Sequence, residues 1–216
     1  MTTSLLQDVD HVVWDWNGTL LDDHAHCVDV LNAMLRKKSL PEIDGEKYRA
    51  YFDFPVKRYY ERLGFDVGPA EWEDLATFFI TTYDGGVEGC ALAPRARDVL
   101  TALRARGKTS SILSAARKVT LEPLLATHGI RDFFTEVVGL DDHYARGKLE
   151  LAVGWMRSSA VAPARTLFVG DTVHDFEVAT AMGVRPVLVA AGHQSRERLE
   201  ACGCPVIDDL GALVVP

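Results

Sequence analysis

Hydrophobic positions along the chain fall into two kinds of run. Residues 11–15 (HVVWD) are β-branched and aromatic, then break off at a polar turn, Asn17-Gly18-Thr19, as a buried strand does where it ends. Comparable strand runs recur at residues 110–114 (SSILS), 135–140 (TEVVGL), 166–170 (TLFVG) and 184–190 (VRPVLVA). Between them, helical patterns occupy residues 96–106, 119–128, 149–158 and 175–182, three of them closed by Gly107, Gly129 and Gly183, which is ordinary helix-stop chemistry. Strands alternating with helices of this length predict an α/β fold with a parallel sheet covered on both faces.

Residues 21–87 interrupt the alternation. Helical patterns run over residues 25–37, 47–51, 56–63 and 70–82, and no convincing strand lies among them. Turns are marked by Leu40-Pro41, Gly64 and Gly68-Pro69, and the Gly85-Gly86 pair marks the exit. Two organisations account for this pattern: further helices of one layered domain, or a helical subdomain inserted after the first strand. We read the second, with hinges at residues 20–23 and 85–89.

Composition narrows the class. The chain has 216 residues, 48% hydrophobic and 25% charged, enough to bury a core without disulfide or zinc staples. A formal charge of 23 − 31 = −8 argues against a broad nucleic-acid or membrane-binding surface. The N-terminus lacks the basic and apolar regions of a signal peptide, and no apolar run approaches the roughly 20 residues of a membrane helix, so a cytoplasmic location is expected. Cys27, Cys90, Cys202 and Cys204 form neither a CxxC pair nor a disulfide framework, and reduced thiols are expected. Monomer and homodimer remain equally open.

In open parallel sheets, ligands sit beyond the carboxyl ends of the strands. Here those ends present Asp15, Ser114 and the run Gly170-Asp171-Thr172-Val173-His174-Asp175, while Lys148 follows Gly147 at a helix start. Taken singly, Gly170-Asp171 is a common turn, Ser114 a turn residue and Lys148 a solvated lysine. Asp15, directly after Val-Val-Trp, needs a partner if buried. Together the groups form one chemistry. Asp15, Asp171 and Asp175 crowded at one point repel unless a cation lies among them, and magnesium suits carboxylates sharing a phosphate oxygen. A carboxylate beside such an ion can attack phosphorus. Lys148, the Ser114 hydroxyl and backbone N–H groups around Trp16, Gly18 and Ala115 would hold the phosphoryl oxygens, with Gly18 allowing close approach.

The segments DWNGTL (residues 15–20), Ser114, Lys148 and GDTVHD (residues 170–175) resemble motifs one to four of the haloacid dehalogenase superfamily, over nearly the whole chain. The resemblance implies a Rossmann-like core at residues 1–20 and 88–216 and a mobile α-helical cap at residues 21–87. It implies a magnesium-dependent phosphatase acting on a small phosphorylated metabolite, phosphoglycolate or a sugar phosphate, through an aspartyl-phosphate. Asp15 is then the nucleophile, and Ser114 and Lys148 orient the phosphate, with Trp16, Gly18, Thr19 and Ala115 around it. Asp171 and the Asn17 carbonyl ligate the metal with Asp15, and Asp175 is a further ligand or a carboxylate behind one.

One departure matters. Phosphatases of this superfamily usually carry Asp two residues after the nucleophile as general acid and base; here it is Asn17, whose amide cannot exchange a proton at neutral pH. Three consequences stand open. The protein is a slow phosphatase, or one for good leaving groups, with Asp22, Asp23, His24 or His26 as replacement donors. It is similar to phosphonoacetaldehyde hydrolases and cleaves a C–P bond using Lys37, Lys38, Lys47 or Lys57 as a Schiff base. Or it is a non-catalytic phosphate-binding module. Lys57, Arg58 and Arg117 are weaker candidates for substrate contact.

Overall fold

The computed structural model describes residues 5–140 and 147–214. The parts of the expected core at residues 1–4, 141–146 and 215–216 lie outside them. In chain order the strands are β1 (His11–Trp14), β2 (Leu21–Asp22), β3 (Ala91–Leu92), β4 (Thr109–Arg117), β5 (Glu136–Leu140), β6 (Thr166–Gly170), β7 (Arg185–Val189) and β8 (Val206–Ile207). The helices are α1 (His24–Lys37), α2 (Gly45–Tyr51), α3 (Val56–Arg62), α4 (Pro69–Asp84), α5 (Ala96–Ala105), α6 (Lys118–Thr127), α7 (Lys148–Ser158), α8 (Val173–Met182) and α9 (Arg196–Glu200).

Six strands form one sheet in the order β5-β4-β1-β6-β7-β8, and every neighbouring pair is parallel. This is the α/β, Rossmann-like architecture expected from the sequence. β1 is central because all four of its residues are buried and apolar or paired: Val12 and Trp14 pack into the cluster under α5 and α6, Val13 into the cluster under α7 and α8. Alternate side chains thus serve opposite faces. After β5 the chain crosses back to β6 beside β1, which puts the reversal of strand order, and the crevice above it, at the carboxyl ends of β1, β4 and β6.

Helices α1 to α4 carry their own apolar cluster, with Leu31, Leu35, Tyr59, Tyr60 and Leu75 among its buried members. The expectation of no strand near residues 21–87 needs correction. β2 pairs antiparallel with β3, Leu21 opposite Leu92, so the entry to and exit from the helical segment are tied together by a ribbon. Two-residue strands are too short for any alternation to register.

A second difference concerns β4, which continues past Ser114 to Arg117 with an irregular register between Leu113 and Arg117. Such an irregularity re-aims the side chains it contains. Helix α8 starts two residues earlier than its apolar pattern because Thr172 and Asp175 form a capping box. Among the described residues, no helix is long and apolar enough to cross a membrane.

Candidate active site

Asp15 follows β1 directly, and its N–H still donates to the Val169 carbonyl of β6 (2.9 Å), as a sixth-strand register would have it. The chain then turns back so sharply that the N–H groups of Leu20 and Leu21 both bond the Trp16 carbonyl. Gly18 sits in this turn at φ +69°, and a Cβ there would lie 2.3 Å from Asp171 Oδ2. Only glycine fits both the dihedral and the space. Gly192 flanks the same carboxylate, its own Cβ position 2.2 Å from Asp171 Oδ2.

Of the expected residues, Asp15, Lys148, Asp171 and Asp175 meet here. Lys148 Nζ lies 2.8 Å from Asp15 Oδ1 and 2.5 Å from Asp175 Oδ1. Asp15, Asp171 and Asp175 are buried and present oxygens within 4.8 Å of one another. Each carboxylate is held differently. Asp15 Oδ1 accepts from its neighbour Trp16 N–H (2.8 Å). Asp171 accepts from the Thr19 hydroxyl (2.8 Å) and from His193 N–H (2.7 Å). Asp175 Oδ2 accepts from Asp171 N–H, Thr172 N–H and the Thr172 hydroxyl. Ser114 is buried, and its Oγ accepts from Ala116 N–H (3.0 Å), while Ala115 beside it is exposed.

Trp16, Gly18 and Thr19, expected around the phosphate, also engage the acidic groups. The N–H groups of Trp16 and Gly18 point at carboxylates, those of Asp15 and Asp23, and the Thr19 hydroxyl points at Asp171. Buried carboxylates take the nearest donors, so these residues fix the acidic groups in place.

Electrostatics follow from burial and crowding. Burial pushes the Asp15 carboxyl up to about 8, with Lys148 opposing and Asp175 and Asp171 adding to the rise. Burial likewise lifts Asp171 to about 6, opposed by His193 and reinforced by Asp175. For Asp175 burial acts upward, but the charge and hydrogen bond of Lys148 outweigh it and hold the group below its ordinary value. Burial would lower Lys148, yet Asp15 and Asp175 together raise it. Three carboxylates crowd around one ammonium, and their mutual repulsion and burial keep Asp15 and Asp171 from ionising freely; a divalent cation would relieve that, and the oxygen donors fit one.

Asn17 turns its amide away from that set. Its Nδ2 donates to Asp23 Oδ2 (2.8 Å) and to the Tyr83 hydroxyl (2.5 Å). Asp23, fully buried at the start of α1, also accepts from Gly18 N–H (2.7 Å) and the Tyr83 hydroxyl (2.7 Å), and lies 3.2 Å from His193 Nε2. Burial acts to raise Asp23, but His193, Tyr83 and Asn17 hold it far below the usual carboxylate range. Burial acts to lower His193; Asp23, then Asp171 and Asp15, lift it to about 9.

The other candidates lie apart. Asp22 is exposed on β2. His24 Nε2 faces the Gly45 carbonyl, and burial with the charges of Arg49 and His193 lowers it to about 4. His26 Nε2 faces the Tyr83 carbonyl. Lys37, Lys47 and Lys57 lie over the rings of Phe78, Tyr51 and Trp72, and Lys38 pairs with Glu71. Those four lysines and Arg58 are exposed. Arg117 pairs with Asp84 at the end of α4 (2.8 Å). All four cysteines are free thiols.

Sequence reasoning missed the loop after β7. Its Gly192, His193 and Gln194 reach Asp171, Asp23 and the N-terminus of α8, where Gln194 Oε1 accepts from Val173 N–H (2.7 Å). The signal was available: Gly192-His193-Gln194 follows a strand end, the same rule that singled out the other groups.

Residues 12–189 match the sequence profile of the haloacid dehalogenase-like hydrolases. Among curated proteins, the chain is 27% identical to a phosphoglycolate phosphatase of Synechococcus elongatus, over 90% of this chain and 89% of that one. It is 28% identical to a phosphoglycolate phosphatase of Pseudomonas putida, over 94% and 78% of the two chains. Among solved structures, a haloacid dehalogenase-like family hydrolase from Streptococcus pneumoniae superposes with a TM-score of 0.81 at 16% identity, covering 96% of this chain and 98% of that one. A predicted phosphatase from Clostridium acetobutylicum gives 0.81 at 18% identity, over 95% and 96%.

Proposed function

This chain belongs to the haloacid dehalogenase-like hydrolases, and we propose that within them it is a magnesium-dependent phosphatase for a small monoester of the phosphoglycolate kind. The observation that carries the reading is the junction of Asp15, Lys148 and Asp175 beside Asp171, three buried carboxylates around one ammonium, at the carboxyl end of a parallel sheet. The named activity of the relatives supports it.

Asp15 and Asp171, with the Asn17 carbonyl, would hold the ion. Asp175 stands behind them, since Lys148 and three donors of the α8 N-terminus take its oxygens. When bound, a divalent cation draws charge from a phosphoryl oxygen and keeps Asp15 ionised.

Among the described residues both polar contacts to the Asp15 carboxylate fall on Oδ1, which leaves Oδ2 to attack phosphorus. The new O–P bond makes an aspartyl-phosphate as the bond to the leaving oxygen breaks. Lys148 and the Ser114 hydroxyl hold the phosphoryl oxygens as their charge redistributes. Water then attacks the acyl phosphate, returning Asp15 and releasing inorganic phosphate.

The leaving oxygen needs a proton that Asn17 cannot give. Asp23 touches Asn17, but its carboxylate is held ionised, so it is no acid at neutral pH. A missing general acid lowers a rate by about 10²–10⁴-fold, and we infer turnover that is slow for alkyl phosphates and steeply dependent on leaving-group acidity. The exposed lysines, each over a ring or paired with Glu71, give a Schiff-base C–P cleavage no support, and the intact acidic set gives a silent binding module none.

The test is phosphate release from phosphoglycolate, sugar phosphates and aryl phosphates of graded acidity, with and without magnesium, beside Asp15→Asn. Magnesium-dependent release that vanishes in Asp15→Asn and rises with leaving-group acidity is expected. Release that survives Asp15→Asn would overturn the reading.

A further inference from the structure

The second knot of titratable groups lies next to the phosphate site but is made of different atoms. Asp23 and Cys27 stand one turn apart at the start of α1, and His193 reaches them from the loop after β7. All three are buried, and one ligating atom from each lies within 4.8 Å of the others. We propose that Asp23, Cys27 and His193 form a second metal site, for a borderline-soft cation of the zinc class, which staples the helical unit to the core. The proposal does not rest on the phosphatase reading.

Geometry is the first support. A tetrahedral zinc with bonds near 2.0 Å to oxygen and nitrogen and near 2.3 Å to sulfur sets its ligands about 3.3 Å apart for nitrogen and oxygen, and about 3.5 Å apart for sulfur and oxygen. Here His193 Nε2 lies 3.2 Å from Asp23 Oδ1, and Cys27 Sγ lies 3.7 Å from Asp23 Oδ2. The carboxylate thus offers one oxygen to each neighbour, and one ligating atom of each residue lies within 4.8 Å of the others.

The surrounding hydrogen bonds are the second support. A ligating imidazole is normally fixed through its other nitrogen; His193 Nδ1 faces the Tyr48 hydroxyl at 3.3 Å. Asp23 is steadied by Tyr83, Asn17 and Gly18 N–H. Thiolate and imidazole select against magnesium and for zinc, so the two sites do not compete for one ion.

The experiment uses cobalt(II) as a spectroscopic probe, with magnesium in excess. The triple variant Cys90→Ser, Cys202→Ser, Cys204→Ser leaves Cys27 as the one thiol of the four. It is expected to retain a single equivalent of cobalt after desalting, with a thiolate-to-cobalt charge-transfer band in the near ultraviolet. Zinc is expected to displace the band and raise the melting temperature by several degrees, as a ligand of the folded state does. Adding Cys27→Ser is expected to abolish retention, and adding His193→Asn instead to weaken cobalt binding at least tenfold. Cobalt retained without the thiolate band, or retained equally after Cys27→Ser, would overturn the proposal. Should the Cys27→Ser chain not fold, presence or absence of the band in the triple variant decides alone.

Discussion

Asn17 is bonded to a carboxylate, and this changes what its replacement would do. Restoring an acid with Asn17→Asp would set a second carboxylate against Asp23 Oδ2, where the amide donor now sits 2.8 Å away. Two carboxylates at that distance must share a proton, and the Tyr83 hydroxyl can serve only one of them. We expect Asn17→Asp alone to lose about 1–3 kcal/mol of stability without gaining activity. The exchange Asn17→Asp with Asp23→Asn should restore the pairing and recover that loss, as thermal melting of the two variants would register. Asp15 supports a prediction of opposite sign. Its pKa is raised to about 8 against an ordinary 3.8, so the folded state binds a proton that the unfolded chain releases, and stability falls as pH rises between those values. With metal removed by chelator at pH 7, Asp15→Asn is expected to be more stable than the wild type by on the order of 1–3 kcal/mol. Turnover in magnesium should fall about 10⁴-fold or more. Equal melting temperatures in chelator would mean that the acidic cluster is not strained.

Strand β1 carries a titratable group at each end, and only one end is chemical. At its foot His11 is 3% exposed, with Nδ1 on the Thr109 hydroxyl (2.7 Å) and its ring against Trp155. Burial lowers it to about 4, slightly offset by Glu136. The unfolded chain takes up this proton near pH 6.5 and the folded one does not, so the contribution is full above 6.5 and is lost as pH falls toward 4. At about 1.4 kcal/mol per unit it amounts to no more than about 3.5 kcal/mol. Urea unfolding at pH 7 and pH 5 should show His11→Gln losing less stability on acidification than wild type. The head of β1 was legible in the sequence because Asp15 ends an apolar run, and the same rule found Asp171. Lys148 and Ser114 were legible only as members of an ordered set. β2 and β3 were not legible, since two residues cannot display a period. Nor were the hydrogen-bond partners of Trp16 N–H and the Thr19 hydroxyl, which are fixed by how tightly the loop turns.

At the scale of the molecule, what the sequence withheld is the seam between the helical segment and the core. Its contacts join residues more than a hundred positions apart, which no local pattern encodes. Arg49 Nε donates to the Gly192 carbonyl (2.9 Å) and Ser195 N–H to the Arg49 carbonyl (3.1 Å). Gln194 Nε2 and Arg198 both donate to the Phe52 carbonyl, and Phe54 packs on His174. Gln194 is the hinge pin of this arrangement in a physical sense. It is fully buried, and its amide bonds the start of α8, next to Asp171 and Asp175, on one side and the turn between α2 and α3 on the other. Asp15, Lys148 and Ser114 are all buried, and we expect this seam to part for a substrate and to close on it. Gln194→Ala should therefore act on closure rather than on chemistry. Arg198 still satisfies the Phe52 carbonyl, so the fold should survive, while KM for the best phosphate ester rises about 10–100-fold, equivalent to about 1.4–2.7 kcal/mol, and kcat changes little. Hydrogen exchange across residues 45–54 should quicken without any change in β1 or β6. A fall in kcat at constant KM would instead place Gln194 among the groups that organise the transition state through α8, and the seam would then be a consequence of the site rather than its gate.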